Sequence, residues 1–145
     1  WEGTNRDMAD GYNKRIPIPQ PESDNYWEGA KAGELRLRKC DDCNQAYFYP
    51  RNICPECGNN NTSWIVASGN AKIHTFAIVH RPPHPGFMDD VPYVPAIVEL
   101  EEGPRMATQI INVEADPSVI SIDMAVKVVF ESITDEISLP KFEPA

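Results

Sequence analysis

The sequence predicts a mainly β chain with three parts: an N-terminal helical segment, a small metal-stapled ribbon, and a C-terminal β-barrel. Three observations predict it. All four cysteines lie in one stretch, "CDDCNQAYFYPRNICPECG", as two Cys-x-x-Cys pairs ten residues apart. From residue 69 onward, β-branched and aromatic runs alternate with turn residues. One short stretch, "SDNYWEGAKAG", carries a helical pattern.

Residues 1–33 read as an arm and a helix. "RIPIPQP" is extended, because its prolines fix φ and remove donors. In the helix, Ser23 or Asp24 offers an N-cap, Gly33 a stop, and Tyr26, Trp27 and Ala30 share a face. Trp1 is not an initiator, whereas Met8 opens "MADGYNKR" as a native start would after a few added residues.

The cysteines read as a metal site. Haem attachment needs His after the second Cys of a pair, and Asn44 and Gly58 stand there instead. A thioredoxin-like site needs one pair in a βαβ context. Each Cys-x-x-Cys folds as a knuckle presenting two thiolates, and two knuckles complete a tetrahedron around zinc. Gly58 suits the positive φ after a knuckle, and Pro55 stiffens the second one. Cys40, Cys43, Cys54 and Cys57 are therefore the expected ligands, with iron as a metal the same tetrahedron accepts. Four thiolates close the shell, so the expected role is a structural staple. Around it, "GELRLRKC", "AYFYP" and "TSWIVAS" read as three strands, placing the ribbon at residues 34–67.

Residues 68–145 read as a barrel. "GNAKIHTFAIVHR", "YVPAIVELEEG", "PRMATQIINVE" and "DMAVKVVFESI" are strand runs with no helical stretch of any size between them. Four or five such strands predict a small closed barrel, for which the OB-fold is the leading candidate.

Composition narrows function. Thirteen Lys and Arg face 22 Asp and Glu, a formal charge of −9. A phosphate-backbone binder needs a basic field, so a nucleic-acid-binding ribbon/barrel module is the alternative and not the first reading. Tyr47, Phe48 and Tyr49 alternate faces, so at most two serve one base-stacking surface. No apolar run approaches a membrane span and no signal peptide opens the chain; a cytoplasmic protein with no membrane partner is expected.

Together, "YWEGAKAGELRLRKCDDC", "YPRNICPECG", "SGNAKIHTFAIVHRP" with "PGF", "PYVPAIVELEEGPRMATQI" and "LPKFEP" resemble a known family. It is the zinc-ribbon/OB-fold proteins long catalogued as a domain of unknown function and linked to acyl-CoA metabolism. The resemblance runs from about Pro17 to Pro144. It implies a rubredoxin-like zinc ribbon, an OB-fold, and the role of accessory subunit. Such proteins accompany thiolase-like enzymes in condensation, retro-aldol and aromatic-degradation complexes, and some are fused or bound to hydratases. What it implies here is a non-catalytic subunit that stabilises its partner and shapes the CoA site. The family's Gly-Met-Pro turn is replaced by Asp123-Met124-Ala125, and Asp tolerates the left-handed turn.

Contacts to CoA or partner follow from that implication. CoA phosphates call for cations, and Arg36, Arg38, Lys39 and Arg51 surround the ribbon; solvated strand faces are the competing reading. Tyr26 and Trp27 on a short helix suggest a partner face, with packing on their own ribbon as the alternative. In "HRPPHPGF", His80 and His84 cannot share a helical face across two prolines, so a metal pair is excluded there. His80 and Arg81 read instead as lining a pantetheine or acyl channel. No nucleophile pattern accompanies them, and no catalytic residue is assigned.

Overall fold

The computed structural model describes residues 12–145; the reading of Met8 as a start and of residues 1–7 as added falls outside them. Helix α1 spans Asp24–Lys31 and is followed by the ribbon strands β1 (Arg36–Cys40), β2 (Ala46–Tyr47) and β3 (Thr62–Val66). They form one antiparallel sheet in the order β2-β1-β3. Five further strands follow: β4 (Asn70–Phe76), β5 (Val94–Leu100), β6 (Arg105–Ile110), β7 (Ala125–Ser132) and β8 (Ser138–Pro144). They close a barrel in the order β4-β5-β6-β8-β7, the topology of an OB-fold.

The helix ends as its sequence requires. Gly33 takes φ 82°, its N–H reaches the Ala30 carbonyl, and the Glu34 N–H reaches that of Gly29. This is the Schellman pattern, which satisfies two orphan carbonyls. The start differs from expectation. Ser23 holds the N-cap position, but its hydroxyl turns back to the Gln20 backbone and makes no cap bond.

Alternation builds the barrel wall. On β5, Val94, Ala96, Val98 and Leu100 point inward while Pro95, Ile97 and Glu99 face out. A bulge at His74 shifts the β4 register between Ile73 and Thr75. The closing strand is β8, "SLPKFEP", whose two prolines disguise it. The Ile133 N–H donates to the Ile137 carbonyl, so in this register odd-numbered β8 residues bond to β7. Pro140 and Pro144 thus turn their missing donors away from β7. On that side β6 pairs with β8 at a single position, Ile110 with Phe142.

Asp123 takes φ 63°, donates its N–H to the Ile73 carbonyl at 2.8 Å, and leads β7 into the barrel. The Asp therefore makes the left-handed turn that the sequence expected it to tolerate. The ribbon sheet ends at Val66 and the barrel begins at Asn70, but one apolar core crosses that boundary. It joins Tyr26 and Trp27 of α1 to Leu35 and Leu37 at the start of the ribbon, and to Ile73, Val98, Val126 and Phe142 of the barrel. The thiols have only a small cluster of their own, Cys40, Tyr47 and Cys54.

Candidate metal centre and its surroundings

The two knuckles repeat one geometry. The Cys40 N–H donates to the Gln45 carbonyl and the Cys54 N–H to the Asn59 carbonyl, both at 2.9 Å. The residue after each second cysteine is left-handed: Asn44 at φ 62° and Gly58 at φ 76°. Asn is among the few side chains that accept this region, which is how the first knuckle manages without glycine. The turns bring Cys40 Sγ to 3.6 Å from Cys57 Sγ and Cys43 Sγ to 3.6 Å from Cys54 Sγ. All four sulfurs lie within 4.8 Å of one another, and none is in a disulfide. Zinc bound to four sulfurs at ~2.3 Å needs sulfurs about 3.8 Å apart, so these residues fit the ion.

The thiols are unequally prepared for ionisation. Backbone N–H donation from Cys57 holds Cys54 down to about 7, whereas desolvation and its thiol neighbours push Cys43 up to about 12. Four crowded sulfurs without a countercharge resist full ionisation, and a divalent cation removes that resistance.

Two residues that sequence reasoning left out of the site frame it. Tyr47 packs among the thiols and its hydroxyl donates to the Arg51 carbonyl. Asn52 accepts from Arg38 at 2.9 Å, while its N–H reaches Glu22 at 3.0 Å. Strand pairing alone would have flagged Tyr47, because it sits opposite Arg38, two residues from Cys40.

The other expected residues separate. Tyr26 and Trp27 are 3% and 9% exposed within the single chain, so their rings pack in its own core. The physical reason is a second layer of aromatic rings. Tyr26 meets Trp27 at 4.9 Å, Phe48 at 5.7 Å and Tyr49 at 5.9 Å, which knits helix to ribbon. Phe48 and Tyr49 are thereby engaged in packing. Arg36 clasps the helix through Asn25 and also donates to Glu34, just past the helix end. Arg38 stacks 4.8 Å over Trp64 besides bonding Asn52. Arg51 is exposed.

His80 and Arg81 are exposed on the β4–β5 connection, apart from the thiols in the chain. His84 braces that connection: its Nδ1 accepts the Gly86 N–H at 2.9 Å and starts a 3-10 turn over Pro85–Phe87. The N-terminal arm straps the same loop. Lys14 pairs with Asp90 at 2.6 Å, and a Cβ on Gly86 would stand 2.5 Å from the Asn13 carbonyl oxygen.

Comparison with known proteins agrees with this geometry. Residues 27–62 match the ChsH2 rubredoxin-like zinc ribbon domain, and residues 64–131 match the ChsH2 C-terminal OB-fold domain. A DUF35 domain-containing scaffold protein of Methanothermobacter thermautotrophicus is 40% identical over 99 residues, 68% of this chain and 72% of that one. The chain belongs to the DUF35 family. A second relative by sequence is a probable enoyl-CoA hydratase alpha subunit of Thermomonospora curvata, 35% identical over 89% of this chain. This chain spans only 40% of that subunit's length. Among solved structures, a chain of the Ltp2-ChsH2(DUF35) aldolase superposes with a TM-score of 0.76 at 32% identity. That match covers 89% of this chain and 98% of the other. No helix among the described residues is long and apolar enough to cross a membrane.

Proposed function

We propose that this DUF35 chain is a non-catalytic accessory subunit of an enzyme that processes acyl-CoA esters, with a structural zinc ion at Cys40, Cys43, Cys54 and Cys57. The observation that carries the reading is the likeness to the DUF35 chain of an aldolase over nearly all of that chain. The enoyl-CoA hydratase name of a relative supports acyl-CoA chemistry. A shell of four thiolates offers no open position to water or substrate, so the ion holds the ribbon and performs no reaction step. The partner is an enzyme of aldolase, hydratase or thiolase-like type. The resemblance in sequence supports the last; the names of the relatives support the first two.

The surface for CoA or partner is drawn from the residues that remain exposed: Arg51 at the ribbon, and His80 and Arg81 on the β4–β5 connection. Arg36 and Arg38 are already engaged, and contribute to such a surface by positioning it. Unpaired thiols in such number suit a reducing cytoplasm. The test is purification from the native source, identification of the co-purifying chain, and assay before and after the small subunit is stripped away. The expected result is an acyl-CoA enzyme whose activity falls on removal and returns on add-back. A chain that purifies without a partner and turns over acyl-CoA esters by itself overturns the proposal.

A further inference from the structure

Strand β3 is an edge of the ribbon sheet, and its register decides which main-chain groups face outward. The Asp41 N–H donates to the Asn61 carbonyl at 2.8 Å, and the Ala67 N–H to the Leu35 carbonyl at 2.7 Å. In the same register Ser63 and Ile65 bond to β1, so Thr62, Trp64 and Val66 turn their N–H and C=O groups away from it. The Thr62 N–H is taken by the Asn60 carbonyl at 3.0 Å. The Thr62 carbonyl and both groups of Trp64 and Val66 have no main-chain partner among the described residues. Natural edges are blunted by lysine, proline or a bulge. "TSWIV" has none of these, and Val66 is 60% exposed.

Charge and complementarity say what covers it. In residues 34–67, Arg36, Arg38, Lys39 and Arg51 balance Glu34, Asp41, Asp42 and Glu56. Residues 68–145 hold five Lys and Arg against twelve Asp and Glu, a net charge of −7. A chain carrying −9 repels its own copy through the barrel and least through the ribbon. The edge is also self-complementary. With a two-fold axis at Trp64, the two Trp64 residues exchange two bonds, and each Val66 N–H meets the other copy's Thr62 carbonyl. The return bond of that pair, from the Thr62 N–H to the Val66 carbonyl, is not made because the Thr62 N–H is given to Asn60, so the seam carries four main-chain bonds. It also sets the two indoles opposite each other as a cross-strand aromatic pair, each with its Arg38 stacked on it.

We propose that β3 is a self-association edge, through which two copies of this chain pair antiparallel about Trp64 into one continuous sheet. The inference does not rest on the enzyme-partner reading. The metal-loaded full chain is run by sedimentation over a concentration series, with Val66→Pro and Val66→Lys alongside. Val66→Pro deletes an outward N–H and spares the ladder to β1. Losing two symmetry-related bonds is expected to raise the dimer dissociation constant about thirtyfold. Val66→Lys keeps the N–H but adds a charge at the seam, and is expected to weaken the dimer too, which covers a failure of the proline variant to fold. Hydrogen exchange on the wild type is expected to show Trp64 and Val66 amides protected at high concentration and fast-exchanging on dilution. A wild-type monomer at every concentration, a dimer indifferent to Val66→Lys, or fast exchange at Trp64 and Val66 within the dimer each overturns the proposal.

Discussion

A Cβ placed on Gly69 would stand 2.7 Å from Cγ1 of Val128, and Gly69 itself holds φ 86°. Ribbon and barrel are joined at this point, where the chain turns from β3 into β4 with no room for a side chain. The hinge is also held from the β5–β6 turn: Glu102 accepts the Ser68 N–H at 2.9 Å, and Glu101 accepts from the Asn70 amide at 3.3 Å. Gly69→Ala is expected to cost about 2–4 kcal/mol, from the left-handed backbone and the overpacking together. Adding Val128→Ala should recover the packing part and leave the backbone part. Denaturant titration of both variants checks this; equal stability of Gly69→Ala and wild type refutes it.

Trp27 is buried, yet its indole N–H has no hydrogen-bond partner among the described residues. Trp27→Ala is expected to lower stability by about 3–5 kcal/mol, as for other large-to-small core changes. Trp27→Phe removes the unsatisfied donor while keeping most of the ring, and should cost far less. Thermal melts of the three proteins give the order. A Trp27→Ala protein as stable as wild type would return this residue to the surface.

One zinc per chain is expected, measured by elemental analysis against protein concentration, with iron in the same site in some preparations. Cys54→Ser should release the metal and loosen the ribbon, because the thiol cluster has so little apolar material of its own. Amide exchange should quicken in residues 40–62 before it does in the barrel strands.

Acid should release the metal. Donation from the Cys57 N–H lowers the Cys54 thiol to about 7 in the fold, below its ordinary value. A lowered pKa favours the thiolate, so its contribution is full above the ordinary thiol pKa and fades as the pH falls through about 7. Protons and metal compete for the same sulfurs, and retention against a chelator should weaken steadily on the acid side. Retention that is flat from alkaline to mildly acid pH would contradict four-thiolate ligation.

Asp123 carries a left-handed φ of 63° with only a 4.0 Å ion pair to Lys72 in return. Asp123→Gly is expected to leave stability unchanged or raise it slightly. Asp123→Val should cost about 1–2 kcal/mol, because a β-branched side chain crowds the left-handed region. Melting temperatures of the pair decide whether backbone or ion pair governs the position.

Much of the architecture was legible along the chain because its determinants are local. The cysteine spacing named the four thiols that gather in the fold, since each knuckle is a few residues of turn geometry around two sulfurs. Gly33 announced the helix stop, and the alternation in "VPAIVEL" announced a wall strand, because a two-residue period is a property of the strand itself. What the sequence could not determine depended on partners far away in the chain. Tyr26 and Trp27 read as interface residues along the chain, whereas in the fold Tyr26 packs on Trp27, Phe48 and Tyr49 and both side chains are buried. Arg36 and Arg38 looked like free cations until Asn25, Asn52 and Trp64 were found to hold them. "SLPKFEP" hid as a strand because its prolines break the local pattern, and are harmless only where β6 and β8 barely pair. Burial and hydrogen-bond satisfaction belong to neighbours brought together by the closed barrel and the docked ribbon, so only the tertiary structure decided them.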